Sequence, residues 1–375
     1  MKKILLIAVA AVLAISMAAV GCGTPEPEPE EPIELDFVTF WPSVDFQYDL
    51  GHNNWAAAIE ALVEADTDYE VDITVSTVPN PYAIWDGVQA GTYDIGATGP
   101  GYTPGIMTLW EGPEYPAALN RSNAYSMSMC LQELYDTFAP LQAEMDDANV
   151  KVMHFWSTGP GYFLMTEGNN VTTLADFDAL TKPIRAANPA SVKTITALGA
   201  DPLAAPMSAA LEEFEAGNLA GILCPTDTPK GFGLGAYVKN GTFAPFSYQF
   251  VFMKVMNLAT WNSLPAEVQA VFDEVNEAWP EYYGQLRTWG EADGLQYCFD
   301  EIAGFTMYYL PDEDPTEYQD WVDACYPDLI DAWIADEDTA NRDALWGNFT
   351  ALDLQMAGLY GDWTPGATPP TPPLP

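Results

Sequence analysis

Apolar and polar positions in Lys182–Leu223 (KPIRAANPASVKTITALGADPLAAPMSAALEEFEAGNLAGIL) switch repeatedly between an extended and a helical period. Pro183 to Ala187 is a short apolar run interrupted by Arg185. Asn188-Pro189 turns the chain, because the residue before proline is pushed away from helical angles. Ser191–Leu198 then predicts a helix with Val192, Ile195 and Leu198 on one face, and Gly199 suits its left-handed C-cap. Asp201–Pro206 is extended again. Ser208 is placed to cap a second helix, with Leu211 and Phe214 on its buried face and Gly217 at its end. Leu219–Leu223 is a third extended run. Strands alternating with helices through short connections predict an α/β fold.

The same alternation runs along the rest of the chain. Glu34–Phe40, Val71–Val78 and Asp94–Ala97 predict strands; His52–Ala65 predicts a helix carrying Trp55, Ile59, Leu62 and Val63, and Ile84–Ala90 another. Tyr125–Glu144 reads as mostly helical and Val150–Trp156 as a buried strand. Ser157–Gly161 (STGPG) reads as a hinge, Phe163–Thr166 as the start of a second lobe, and Thr173–Asp176 as a capping box. Phe243–Met256 predicts one strand returning between lobes. Leu264 to about Ala303 predicts a long helix with Val268, Val271, Phe272 and Val275 on its apolar face, kinked or split at Pro280.

The ends are of another kind. Met1–Gly21 is a leader, with Lys2 and Lys3 before an apolar run and small residues before Cys22, the pattern of a lipoprotein processing box. The competing reading is an ordinary secretory signal cut near Ala18 or Ala19. Gly23–Pro32 (GTPEPEPEEP) is an extended acidic tether, and Thr364–Pro375 is a Pro-rich tail. No later segment is long and apolar enough to span a bilayer.

Charge narrows the function. With 12 Lys+Arg against 54 Asp+Glu, the formal net charge is −42, which repels nucleic acid. An anionic ligand needs a sheltered local cation. Arg185, at the end of an apolar strand of an α/β sheet, suits a carboxylate clamp; the competing reading is a structural ion pair. Loops after strand ends offer Trp41, Phe46 and Tyr102 as pocket walls, each of which core packing would equally explain. Cys130, Cys224, Cys298 and Cys325 lack zinc spacing; Cys298 with Cys325 is the first disulfide to test. Asp312–Asp314 and Asp336–Asp338 lack EF-hand spacing and read as helix-start acids. There is no HExxH, GxSxG or P-loop, and the only histidines are His52 and His154, the latter in an apolar strand.

Three blocks, in order, carry a resemblance: Val88–Gly96 (VQAGTYDIG), Pro183–Arg185 with Leu198–Pro202 (LGADP) and Glu215–Gly217, and Met256–Pro265 (MNLATWNSLP). From about Glu34 to Asp331 the chain resembles the P subunit (DctP type) of TRAP transporters, extracytoplasmic receptors for organic acids. The resemblance implies a two-lobed α/β receptor of the periplasmic-binding-protein kind, type II-like, with a long helix bracing both lobes. It implies no catalysis, cofactor or metal, but a small organic acid as ligand, TRAP membrane subunits as partners and an extracytoplasmic location, membrane-anchored through Cys22. The expected divisions are 1–21 signal, 22–34 tether, 35–157 lobe I, 158–243 lobe II, 244–303 crossing strand and helix, 304–363 a helical region and 364–375 tail. The candidate ligand-binding residues are Arg185, Asn257, Trp41, Phe46, Tyr102, Trp156, Tyr162 and Asp227. Relatives carry a second arginine near Tyr162 or Phe163, absent here, which favours a single carboxylate. They also carry Asp-Gly where this chain has Ala220-Gly221. The alternatives are a surface carbohydrate-binding protein and a carboxylate-pair hydrolase.

Overall fold

The computed structural model describes residues 31–115 and 123–373, so the leader, Cys22 and most of the tether lie outside the described residues. Eleven strands form two sheets among those residues. The first contains β1 (Ile33–Thr39), β2 (Val71–Thr77), β3 (Ile95–Thr98), β4 (Val150–Ser157) and β10 (Val251–Asn257), in the order β2-β1-β3-β10-β4. The second contains β5 (Tyr162–Thr166), β6 (Ile184–Ala186), β7 (Pro202–Ala204), β8 (Gly221–Cys224), β9 (Val238–Phe243) and β11 (Thr306–Tyr309), in the order β11-β9-β5-β8-β6-β7.

Each sheet is the floor of one lobe. In the first, β1 runs parallel to β2 and β3, from Ile33 opposite Val71 to Thr39 opposite Thr77. β10 returns antiparallel between β3 and β4, and every one of its residues is buried. Strands covered on both faces read as continuous apolar runs, which explains Val251–Met256. In the second, β6 runs parallel to β7 and β8, and β5 lies antiparallel between β8 and β9. The strand–helix alternation read in Lys182–Leu223 builds this half: helices Pro189–Ala197 and Met207–Glu215 connect β6, β7 and β8. Asn188 caps the first, accepting from Ser191 N at 2.8 Å, and Gly199 closes it at φ +103°.

Several expectations are corrected. Phe243–Met256 is not one strand: β9 ends at Phe243 in the second sheet and β10 begins at Val251 in the first. Between them a 3-10 turn, Pro245–Ser247, breaks the ladder where proline has no N–H to give. The chain therefore crosses between lobes at 158–161 and again at 244–250. Ser208 does not cap, because the helix already begins at Met207 after Pro206. Tyr125–Glu144 divides into Ala124–Thr137 and Ala139–Asp146, with Pro140 in the first turn of the second helix. The region 304–363 is mostly helical but also contributes β11.

The bracing helix is one unbroken element, Ala266–Glu301, with Pro280 inside it. Trp279, Pro280, Tyr282 and Tyr283 are all buried, so packing on either side of the lost hydrogen bond holds the helix together. Gly284 lets it approach helix Ala124–Thr137, since a Cβ there would lie 2.8 Å from Tyr125 Cα. No disulfide joins Cys298 to Cys325. Both are buried, in different apolar clusters, and burial pushes each thiol up to about 12. Asp314 accepts from Glu317 N at the start of helix Pro315–Cys325, and Asp336 and Glu337 lie 3.8 and 3.7 Å from Arg342.

Candidate ligand-binding site

A cleft of about 350 Å³, part of it open to solvent, lies where the lobes meet. Residues after β1 and β3 (Phe40, Trp41, Tyr102) and on β10 (Phe252) wall it from the first lobe. The second lobe supplies Arg185, Met207, Pro225, Asp227, Thr228 and Phe232; the crossings supply Thr158 and Tyr248, and the bracing helix Arg287. The aromatic walls support one another. Phe40 stacks on Trp41 at 3.9 Å and meets Tyr102 edge-on at 5.1 Å, while Phe252 meets Trp41 at 4.9 Å.

Arg185 stands in the middle of β6 and is 1% exposed. Its Nε donates to Ala205 O at 2.8 Å, which fixes the guanidinium plane. Its Nη1 has no hydrogen-bond partner, and no ion pair to it forms among the described residues. A buried donor left unmade costs about 1–3 kcal/mol, more when charged. A carboxylate entering the cavity would remove that cost.

A second guanidinium lines the same cavity in the opposite condition. Arg287 donates to Asp227 through both Nη atoms, at 2.9 and 3.3 Å, and to Glu291 at 3.2 Å. With its amide oriented to satisfy the site, Gln47 accepts from Arg287 at 2.6 Å and from Trp41 Nε1. Glu291 also accepts from Gly159 N at 2.7 Å, tying the helix to the first crossing. Burial alone would lower the Arg287 pKa, but Asp227, Glu291 and Asp45 outweigh it and raise it. The chain folds this way because Gly290 and Gly294 flank the ionic residues on one helix face. A Cβ at Gly290 would strike Phe46 at 2.2 Å, and one at Gly294 would strike Asp227 Cα at 2.4 Å.

The model of the bacterial extracellular solute-binding protein family 7 matches residues 37–331. The chain belongs to this family. Solved structures share its fold. A TRAP solute-binding protein of Rhodoferax ferrireducens, holding copurified benzoate, is 20% identical with a TM-score of 0.76, over 87% of this chain and 99% of that one. A marine metagenome TRAP protein specific for aromatic acid ligands, with 3-hydroxybenzoate, is 24% identical (TM-score 0.75; 87% and 99%). One from Bordetella bronchiseptica with (R)- and (S)-mandelate is 20% identical (TM-score 0.74; 87% and 100%). Comparison with curated proteins returns no match.

Of the residues expected in this family 7 protein's site, Arg185, Trp41, Tyr102 and Asp227 meet at the cavity. Four others lie elsewhere. Asn257 caps helix Leu258–Ser263: its Oδ1 accepts from Ala259 N and Thr260 N, and its Nδ2 donates to Val88 O and Gln89 O. Every polar atom of that side chain is spent within the first lobe. Trp156 is fully buried and stacks on Tyr283 at 4.5 Å, a layer behind Trp41. Tyr162, on β5, packs on Phe243 at 4.9 Å. Phe46 lines a neighbouring cavity, its ring centre 5.7 Å from the Arg287 guanidinium carbon. Arg287 was missed by sequence reasoning, although Arg287 and Glu291 four apart on a helix, between glycines in a chain poor in cations, were a usable signal.

Neither histidine of this solute-binding protein lines the cavity. His154 Nδ1 lies 2.9 Å from Asn276 Oδ1, and His52 Nδ1 lies 2.6 Å from Tyr283 OH. Burial lowers the pKa of both, and the nearby Lys254 lowers it further. No helix among the described residues is long and apolar enough to cross a membrane.

Proposed function

We propose that this solute-binding protein captures a small monocarboxylic acid with a flat aromatic body and delivers it to the membrane subunits of a TRAP-type transporter. The observation that carries the reading is the buried Arg185, which lines an aromatic-walled cavity with one donor unpartnered and no carboxylate beside it among the described residues. A guanidinium matches a carboxylate with two donors. The other cation at the cavity, Arg287, is already paired with Asp227 and Glu291, so one carboxylate is the better fit. The benzoate, 3-hydroxybenzoate and mandelate bound by proteins of like fold support the same class.

The ligand enters between lobes that hinge at 158–161 and 244–250, with 35–157 in the first lobe, 158–243 in the second and 244–303 spanning both. The Lys2-Lys3 leader pattern and Cys22 support a receptor held by a lipid on the outer face of the membrane and raised on the Pro/Glu tether. Catalysis has no part in this reading. The test is to purify the protein without added ligand, unfold it gently and identify what is released by mass spectrometry. An aromatic monocarboxylate is expected; a dicarboxylate or a sugar would overturn the reading.

A further inference from the structure

Asp45 carries a buried carboxyl where the two lobes meet, beside the cavity. It ends the turn after β1, where its N–H donates to Pro42 O at 2.9 Å and its Oδ1 accepts from Gln47 N at 2.8 Å. The turned Gln47 amide is a side-chain donor to this carboxyl, and Oδ2 is buried. It presses on Gly231 of the second lobe: a Cβ there would fall 2.0 Å from Oδ2, so glycine makes the seat. The charged groups that face it are Asp227 from the loop after β8 and Arg287 from the bracing helix, and Glu291 faces the same two. Lys230, on the same short helix as Gly231, is turned to Asp293 instead. The donors of Arg287 that are used go to the carboxyls of Asp227 and Glu291 and to the Gln47 amide, so Asp45 feels its charge without a hydrogen bond to it.

We infer that Asp45 is a proton site assembled by closure, so that the receptor takes up a proton on Asp45 Oδ2 as the lobes close over the acid. This rests on the reading that the lobes close around a carboxylate. When the lobes separate, Oδ2 leaves Gly231 and Asp227 for water, where a carboxyl ionises near about 3.9. In the closed arrangement burial, and then the charge of Asp227, push it up to about 7, with Gln47 and Arg287 offsetting only part. Between those values the closed form holds more protons than the open one. Closing therefore weakens as pH rises through that window, by close to tenfold per pH unit, and levels off above it. The proton comes from solvent and offsets the charge of the captured anion, in a chain whose formal net charge is −42.

Small-angle scattering of the acid-free protein at about pH 5.5, inside the window, and about pH 7.5, above it, tests this directly. The wild type is expected to be more compact at the lower pH, and Asp45→Asn, neutral and of the same shape, to be equally compact at both. Calorimetry with benzoate as the probe, at about pH 6 in two buffers of different ionisation enthalpy, should read close to one proton taken up per benzoate in the wild type and none in Asp45→Asn. A wild type indifferent to pH overturns the proposal. So does a pH dependence that persists in Asp45→Asn, which would assign the proton to Glu291 or to general charge. If benzoate does not bind while the scattering change still follows Asp45, the aromatic-acid reading falls and the proton site stands.

Discussion

Two buried arginines line one cavity, and the sequence around each decides what it can do there. Arg287 sits on a helix face that also presents Glu291, opposite the loop that presents Asp227, and its charge is answered within the protein. Arg185 sits on a three-residue strand whose neighbours are alanine, isoleucine and leucine, and it receives one backbone carbonyl. Burial is almost equal, at 2% and 1% exposed, so burial does not separate a structural cation from a binding one. Carboxylate partners do: Arg287 has two and Arg185 none among the described residues, while each keeps one buried nitrogen without a hydrogen bond.

The largest effect is expected where the ion pair is broken from inside. Arg287→Ala leaves Asp227 and Glu291 buried without their cation, and losing one partner of such a pair typically costs about 3–5 kcal/mol. Urea denaturation should show that loss; a midpoint like the wild type's would mean the two carboxyls simply protonate. Arg185→Ala should behave in the reverse way, keeping its unfolding midpoint while losing the acid. Removing a buried charge partner costs about 2–5 kcal/mol, roughly thirtyfold to several-thousandfold in affinity. Calorimetry with the acid recovered from the protein reads it, and wild-type affinity in Arg185→Ala would end the clamp assignment. Arg185→Lys should restore only part, since an ammonium is a point charge.

Much of the contrast was legible in the chain. The strand–helix alternation around Arg185 is local, so periodicity, Asn188-Pro189 and Gly199 mark it without tertiary knowledge. The role of Arg287 depends on Asp227, sixty positions away in sequence, and on two glycines whose purpose appears only when Phe46 and Asp227 press against them. The single strand expected over Phe243–Met256 failed for a related reason. Alternation continues through both halves, and nothing local says that they belong to different sheets. Trp156 and Trp41 are alike in composition and burial; only the layering of one behind the other separates core from wall.

Lys254 extends the comparison to a third buried cation, one with neither partner nor cavity. It is 0% exposed on β10, and its Nζ lies 3.6 Å from the Trp55 ring centre with no hydrogen-bond partner among the described residues. Burial lowers its pKa well below the ordinary value, so the unfolded chain binds more protons than the folded one between the two values. Stability therefore rises with pH across that window; the cost is full below the folded pKa and gone above about 10.4. Lys254→Met should raise the urea midpoint at about pH 7 and lose that gain toward about pH 10.4. A lower midpoint at neutral pH would mean that the aromatic rings hold a charged ammonium.

The smallest effect is expected at Asn257, and it separates position from role. The residue sits where an amide could have reached a ligand, yet its four hydrogen bonds join helix Leu258–Ser263 to the end of helix Tyr82–Gln89. Losing an N-cap side chain costs about 1 kcal/mol. Asn257→Ala should therefore lower the unfolding midpoint modestly and leave affinity for the acid unchanged. Asn257→Asp keeps the cap acceptor but removes the donor to Val88 and Gln89. It should recover most of the stability, because the carboxylate still serves Ala259 N and Thr260 N while Val88 O keeps Gly91 N and Gln89 O keeps Asn149 Nδ2. A fall in affinity beyond that of a distant surface variant, at unchanged stability, would put Asn257 back in contact with the ligand. It would also mean that the cavity extends along β10 in the form that binds.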